Sequence, residues 1–259
     1  MIEVKNVSQS YSKGSSKKTL EDINFVVKEN AITALVGANG AGKSTLLNVM
    51  TNLLPVSSGS VHIHGEDVKN IKTKDLAKKI AILKQTHNLN IRITMNDLVE
   101  FGRFPHCGGR LQDIDKKKVV EALNYMNLFD LKDRYLDEIS GGQKQRAFIA
   151  MILAQDTPHI FLDEPLNNLD IKYSVAMMKI IKQLVTDLNK TIVVVLHDIN
   201  FAAAYADHIV VMKNGRIINE GTPDKIITKE VLDDVFDHDF HIADHDGKKI
   251  CLYYDREEE

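Results

Sequence analysis

Residues 37–45, Gly37, Ala38, Asn39, Gly40, Ala41, Gly42, Lys43, Ser44 and Thr45, fit the spacing GxxxxGK[ST] of a phosphate-cradling loop. The chemistry needs these residue types. Glycines let successive backbone N–H groups turn toward phosphate oxygens with no Cβ in the way. A helix starting behind the loop adds the favourable end of its dipole. A lysine can reach β- and γ-phosphates, and a serine hydroxyl can ligate Mg²⁺. A second chemical group stands at Asp163 and Glu164, where the apolar run 160–162 ends in two carboxylates. A buried strand ending in aspartate suits Mg²⁺ support, and the adjacent glutamate can orient and deprotonate a water for attack on a γ-phosphate. His197 follows the apolar run 192–196. It could contact the same phosphate, or simply cap the segment that follows. Gln85, after the run 80–83, is a polar side chain in a similar place and says little alone.

These groups need strands that end at one level. Apolar, β-branched runs predict strands over 2–7, 23–27, 32–36, 80–83, 160–162 and 192–196. The run 191–196 is apolar on both faces, as a central strand covered by helices must be. Helical patterns follow Lys43 and cover 116–126, with Val119, Val120, Leu123 and Met126 in register, and 174–188. Strands alternating with helices give an α/β fold. The early segment differs: 2–27 and 60–64 read as strands joined by turns, so an antiparallel β subdomain is expected. From 88 to 156 strand signals nearly vanish, predicting an inserted α-helical subdomain between core segments 1–87 and 157–259. Asn214-Gly215, between the runs 209–212 and 216–218, predicts a hairpin.

Composition narrows the function classes. The chain has 259 residues, 44% of them hydrophobic, and a net charge of −3. That suffices for one compact domain with an inserted subdomain. The absence of a large basic excess argues against a nucleic-acid partner. Two distant cysteines, Cys107 and Cys251, make no disulfide framework and fit a reducing compartment. Glu3 and Lys5 interrupt the first residues, so no signal peptide is read there, and no apolar run reaches the ~20 residues a membrane-spanning helix needs.

The segment Ile139-Ser140-Gly141-Gly142-Gln143-Lys144-Gln145-Arg146 resembles the LSGGQ signature of the ATP-binding cassette family, with Ile139 in place of the usual leucine. The resemblance extends from Tyr11 to about Gly221. It implies a phosphate-loop NTPase core of the RecA-like kind, carrying an antiparallel β subdomain and a helical subdomain that holds the signature. It also assigns roles. Tyr11 resembles the aromatic that stacks on adenine, and residues 37–45 the Walker A loop. Gln85 resembles the Q-loop glutamine, which senses Mg²⁺ and the permease. Asp163 resembles the Walker B aspartate and Glu164 the catalytic glutamate. Asn167-Asn168-Leu169-Asp170 fills the D-loop position, departing from the more general SALD form, and His197 fills the H-loop position. Ser140, Gly141, Gly142 and Gln143 would meet the ATP bound by a second copy in a head-to-tail dimer. The implied ligands are ATP and Mg²⁺, with Ser44, Gln85 and Asp163 on the metal.

The segments 101–106, 163–170 and 196–200 resemble importer ATPases of the ferric-siderophore, haem and cobalamin group. That implies two permease subunits, an extracytoplasmic binding protein and a peripheral station on the cytoplasmic side of the membrane. Ferric siderophore is the leading cargo, with haem or cobalamin as the alternative. A soluble cassette acting on DNA or ribosomes is disfavoured, because no heptad stretch and no second cassette is seen. Phe101, Phe104 and Cys107 are either core or the lining of a groove for a permease helix, and the resemblance favours the groove. His238, His241 and His245, among Asp237, Asp239 and Asp244, fit no metal spacing closely and read as a solvated C-terminal segment. The five lysines of 69–79 read as a solvated amphipathic surface.

Overall fold

The computed structural model describes residues 1–10, 18–84, 92–167 and 169–254. The chain divides into two compact units, Met1–Asn70 with Thr191–Glu259, and Ile71–Lys190.

The first unit opens with β1 (Ile2–Gln9), β2 (Leu20–Val27), β3 (Ile32–Val36), α1 (Lys43–Met50), β4 (Ser58–Ile63) and β5 (Glu66–Asp67). An antiparallel sheet forms in the order β2-β1-β4-β5. Its central strand aligns Ile2 with Val27 and Ile63, and Val4 with Phe25 and Val61, so one face is a continuous apolar layer. This is the antiparallel subdomain expected. Helix α1 stops earlier than its apolar pattern runs. Asn52 turns left-handed at φ 57, and the Leu53 and Leu54 N–H groups both donate back to the Asn48 carbonyl.

The second unit holds α2 (Thr73–Leu76), β6 (Ile80–Leu83), α3 (Met95–Phe101), α4 (Phe104–Cys107), α5 (Asp113–Tyr125), α6 (Gly141–Ala154), β7 (His159–Asp163) and α7 (Ile171–Leu188). Strands β6 and β7 pair in parallel, Ile80 beside His159 and Leu83 beside Leu162. The stretch 88–156 lies wholly within this unit, and its named elements are helical. Helix α6 packs against α3 and α5. Ala147, Ala150 and Ala154 are buried along it, and a Cβ on Gly102 would stand 2.0 Å from the Met151 carbonyl oxygen, so the α3 end lies directly on the α6 backbone. Helix α5 buries Val119, Ala122 and Leu123, while Val120 of the expected stripe faces solvent. A buried ion pair crosses the cluster. Arg103 Nε donates to Asp115 at 2.9 Å, and its Nη1 donates to the Ala154 carbonyl at 2.7 Å.

The chain then returns to the first unit through β8 (Thr191–Val195), α8 (Ile199–Tyr205), β9 (His208–Lys213), β10 (Arg216–Gly221), α9 (Pro223–Ile226), α10 (Lys229–Phe236), β11 (His241–His245) and β12 (Lys248–Leu252). Strand β3 lies between β8 and β9, parallel to both, and every residue of β3 and β8 is buried. Strand β10 closes the predicted hairpin on β9 through Asn214 and Gly215, both at positive φ. The segment read as solvated is exposed at His238, His241 and His245, and part of it forms the hairpin β11–β12. Its signal was Asp246-Gly247, which takes φ of 53 and 72 in a tight turn. The acidic tail from 255 onward lies outside the described residues.

Candidate functional site

In the first unit, the phosphate loop leaves the C-terminal end of β3. Gly37 is at φ 144, and a Cβ there would lie 2.1 Å from the Met212 carbonyl oxygen, so the loop runs flush against β9. The turn of the β9–β10 hairpin holds the loop's far side, where the Gly215 N–H donates to the Ala41 carbonyl at 3.0 Å. Gly215 also accepts from the Glu21 N–H at 2.8 Å, which joins the loop to the start of β2. Asn39 and Gly40 are exposed, while Ala41, Gly42, Lys43 and Thr45 are buried. Lys43, the first residue of α1, folds its ammonium back over the loop and donates to Gly37 O at 2.7 Å and Ala38 O at 3.1 Å. A cation is thus suspended over a ring of backbone at a helix start, an arrangement complementary to polyphosphate.

His197 follows β8. The parallel register sets Leu35 beside Val195, and the Leu196 N–H donates to the Leu35 carbonyl at 3.2 Å. The phosphate loop and His197 therefore emerge from the same end of adjacent strands. His197 is exposed. The cap of α8 is the next residue, Asp198, whose Oδ1 accepts the Asn200 N–H at 2.8 Å.

In the second unit, β7 is buried throughout and ends at Asp163. Glu164 then adopts a left-handed backbone at φ 53, which turns the chain sharply as it leaves the strand. The turn closes through the Asn167 N–H donating to the Glu164 carbonyl at 3.2 Å. The Asn167 side-chain amide donates to the Glu164 carboxylate. Asn167 is the position at which this D-loop departs from the serine of the general form, so the departure supplies a partner for Glu164. Asp170 caps α7 through the Tyr173 N–H.

The signature lies at the N-terminus of α6. Ser140 is its N-cap, accepting the Gln143 N–H at 3.3 Å, while Gln143 Oε1 accepts the Ser140 N–H at 2.9 Å. This capping box leaves the serine proton available for an acceptor outside the helix. Ser140 and Gly141 are exposed, whereas Gly142 is pressed against Tyr173, where a Cβ would lie 2.6 Å from the ring. Gln145 donates to the Pro165 carbonyl at 2.9 Å and so ties the signature helix to the turn after Glu164.

Tyr11, Gln85 and Asn168 lie outside the described residues. Phe101 and Phe104 are exposed, which rules out the core reading for these two, and with Ile93, Asp97, Glu100, Cys107 and Leu111 they line a groove. The histidines of the C-terminal hairpin have local partners. His238 Nε2 meets the Tyr253 carbonyl at 2.8 Å, and His241 lies 3.6 Å from Asp239. Sequence reading missed the Gly215–Ala41, Gln145–Pro165 and Asn167–Glu164 bonds. Only the first had a signal, the Asn-Gly turn.

The chemistry fits a nucleoside triphosphate. In the first unit the loop backbone and Lys43 offer donors suited to phosphate, and the Ser44 hydroxyl there and the Asp163 carboxylate of the second unit are each hard oxygen donors. The family described as ABC transporter matches residues 20–167, more than half of the chain. The petrobactin import ATP-binding protein YclP of Bacillus subtilis (strain 168) is 51% identical over 254 residues, spanning 98% of this chain and 100% of its own. The petrobactin import ATP-binding protein FatE of Bacillus anthracis is 40% identical over 98% of this chain and 100% of its own. Among solved structures, the dimeric post-hydrolysis state of the ATP-binding cassette MJ0796 bound to ADP and Pi superposes with a TM-score of 0.75. It is 31% identical and spans 86% of this chain and 99% of its own.

Proposed function

The chain belongs to the ABC transporter family of ATP-binding cassettes, and from that premise we propose that it is the ATP-hydrolysing subunit of a binding-protein-dependent importer for ferric siderophores. One observation supports the hydrolytic reading above all. In each unit, reactive side chains stand at the C-terminal ends of fully buried parallel strands, the phosphate loop and His197 after β3 and β8, and Asp163 with Glu164 after β7. The cargo rests on relatives matched along nearly their whole length, whose names specify petrobactin import.

Lys43 and the loop N–H groups bind the β- and γ-phosphates. Ser44, Asp163 and Gln85 are the residues that would hold Mg²⁺. The ion, when bound, neutralises phosphate charge as the terminal bond breaks. Glu164, held by Asn167, orients the attacking water and takes its proton. His197 contacts the γ-phosphate and keeps the reacting groups in register. Tyr11 stacks on adenine. Ser140, Gly141, Gly142 and Gln143 face the nucleotide of a second copy in a head-to-tail dimer, a use consistent with an exposed helix N-terminus and a hydroxyl with a proton to give. The helical stretch 88–156 is the signature-bearing subdomain, and its Phe101–Phe104 groove receives one helix of a permease subunit, two copies of the chain serving two permease subunits. No helix among the described residues is long and apolar enough to cross a membrane, so the membrane contact is assigned to that groove, on the cytoplasmic side. An extracytoplasmic binding protein delivers the chelate.

The test is uptake of radiolabelled iron from a panel of siderophores, with haem and cobalamin included. Cells would carry either the wild-type chain or Glu164→Gln as their only copy. Loss of uptake for one ferric chelate class, with ATP binding by the variant retained, is the expected result. Unchanged uptake across the panel with the variant expressed would remove the siderophore assignment and leave an ABC ATPase of another cargo.

A further inference from the structure

The turn bearing His197 is held on both flanks. On one side, Leu196 is bonded to Leu35 in the strand that leads into the phosphate loop. On the other, the Asn200 backbone N–H is held by Asp198, and the Asn200 side chain spends both its ends on one residue of β12. Its Oδ1 accepts the Cys251 N–H at 2.7 Å, and its Nδ2 donates to the Cys251 carbonyl at 3.1 Å. A carboxamide paired this way does what a neighbouring strand would do, satisfying the backbone donor and acceptor of one residue together. Cys251 is the buried residue of β12, at 2% exposure. Burial, with the Asp198 charge second, pushes its thiol up to about 11, so it serves as packing and not as a nucleophile. The C-terminal hairpin is thereby fastened to the residues immediately after His197, and helix α8 packs on β12.

We propose that Asn200 is a positioning residue for His197, so that ATP turnover depends on the C-terminal hairpin through the Asn200–Cys251 clamp. This rests on the role given above to His197. A loop side chain is placed only as well as its flanks are held, and small misplacements of a group at the reacting centre cost large factors in rate.

The test uses the purified full-length chain and compares steady-state ATP hydrolysis, nucleotide affinity and melting temperature. The variants are His197→Ala, Asn200→Ala, Asn200→Asp and the double substitution of His197 and Asn200 by alanine. Asn200→Asp keeps the shape but sets an oxygen against the Cys251 carbonyl, and it carries the comparison if Asn200→Ala does not fold. Both Asn200 variants are expected to lower kcat about tenfold, with KM for ATP moving less than about twofold. In the His197→Ala background, removing Asn200 should cost nothing more, because the two residues act as one. Unchanged kcat in both Asn200 variants, or losses that multiply with that of His197→Ala, would overturn the proposal while leaving His197 in its role. Normal hydrolysis by His197→Ala would instead remove that role, and the inference with it.

Discussion

Gly37 shows how one missing methyl group shapes the site. Its backbone is in a region that side chains rarely adopt, and the space a Cβ would fill holds the Met212 carbonyl oxygen. Gly37→Ala must therefore push the loop off β9 and carry the Lys43 carbonyl partners with it. We expect fluorescent-nucleotide titration to show affinity falling by at least tenfold, with a loss of about 1–3 kcal/mol in denaturant stability. A change under twofold would mean the loop can slide along β9 without consequence. At this scale the sequence was most informative, because motif chemistry is local. The phosphate loop, Asp163 and Glu164 could be named from residue type and spacing, and the signature from its resemblance to a known motif. The bonds that hold them could not. Gln145 reaches Pro165, and Gly215 reaches Ala41, across stretches with no shared pattern.

Among elements, the helices around α6 depend on a charge pair taken out of water. Arg103 and Asp115 are 5% and 3% exposed. The Gln112 backbone N–H, followed by the Arg103 guanidinium, holds the Asp115 carboxyl below the usual carboxylate range. Arg103→Ala strands that carboxylate and the Ala154 carbonyl, and should cost about 3–5 kcal/mol in urea unfolding. Replacing both partners, Arg103→Met with Asp115→Leu, should recover most of the loss, and failure to recover would show the pair holding more than its own charges. The elements themselves were legible where periodicity was clean. Strands β3 and β8 are buried on both faces and read as unbroken apolar runs. Helix α7 begins three residues before its apolar pattern suggests, because Asp170 caps it there. The hairpin β11–β12 was missed because β11 does not alternate: Ile242 and Ala243 are adjacent, both half-buried, between exposed His241, Asp244 and His245.

For the molecule as a whole, acid should act in two windows. His208, on β9, has its Nδ1 buried with no hydrogen-bond partner, and burial holds its pKa below the ordinary histidine value. The unfolded chain therefore binds a proton more readily than the folded one. Stability from this group is complete above about pH 6.5 and is lost as pH falls through the depressed folded value. Asp115 has the same sign in a lower window: its contribution is present above about pH 4 and is lost as pH falls through its own depressed value. The melting temperature should thus begin to fall below about pH 6.5, then fall again below about pH 4. His208→Phe should flatten the first step and leave the second in place. A first step that persists in His208→Phe would assign it to another group.

The left-handed backbone at Glu164 has an evolutionary consequence. That conformation costs a glutamate roughly 1–2 kcal/mol, and costs glycine little. Selection for folding alone therefore pulls this position away from the residue that the proposed hydrolysis requires. A library randomised at Glu164 and sorted for thermal stability should drift to glycine and asparagine, while the same library sorted for cargo-dependent growth should return glutamate. If Glu164 has the proposed role, a copy of the chain released from transport is expected to lose that carboxylate among its first substitutions.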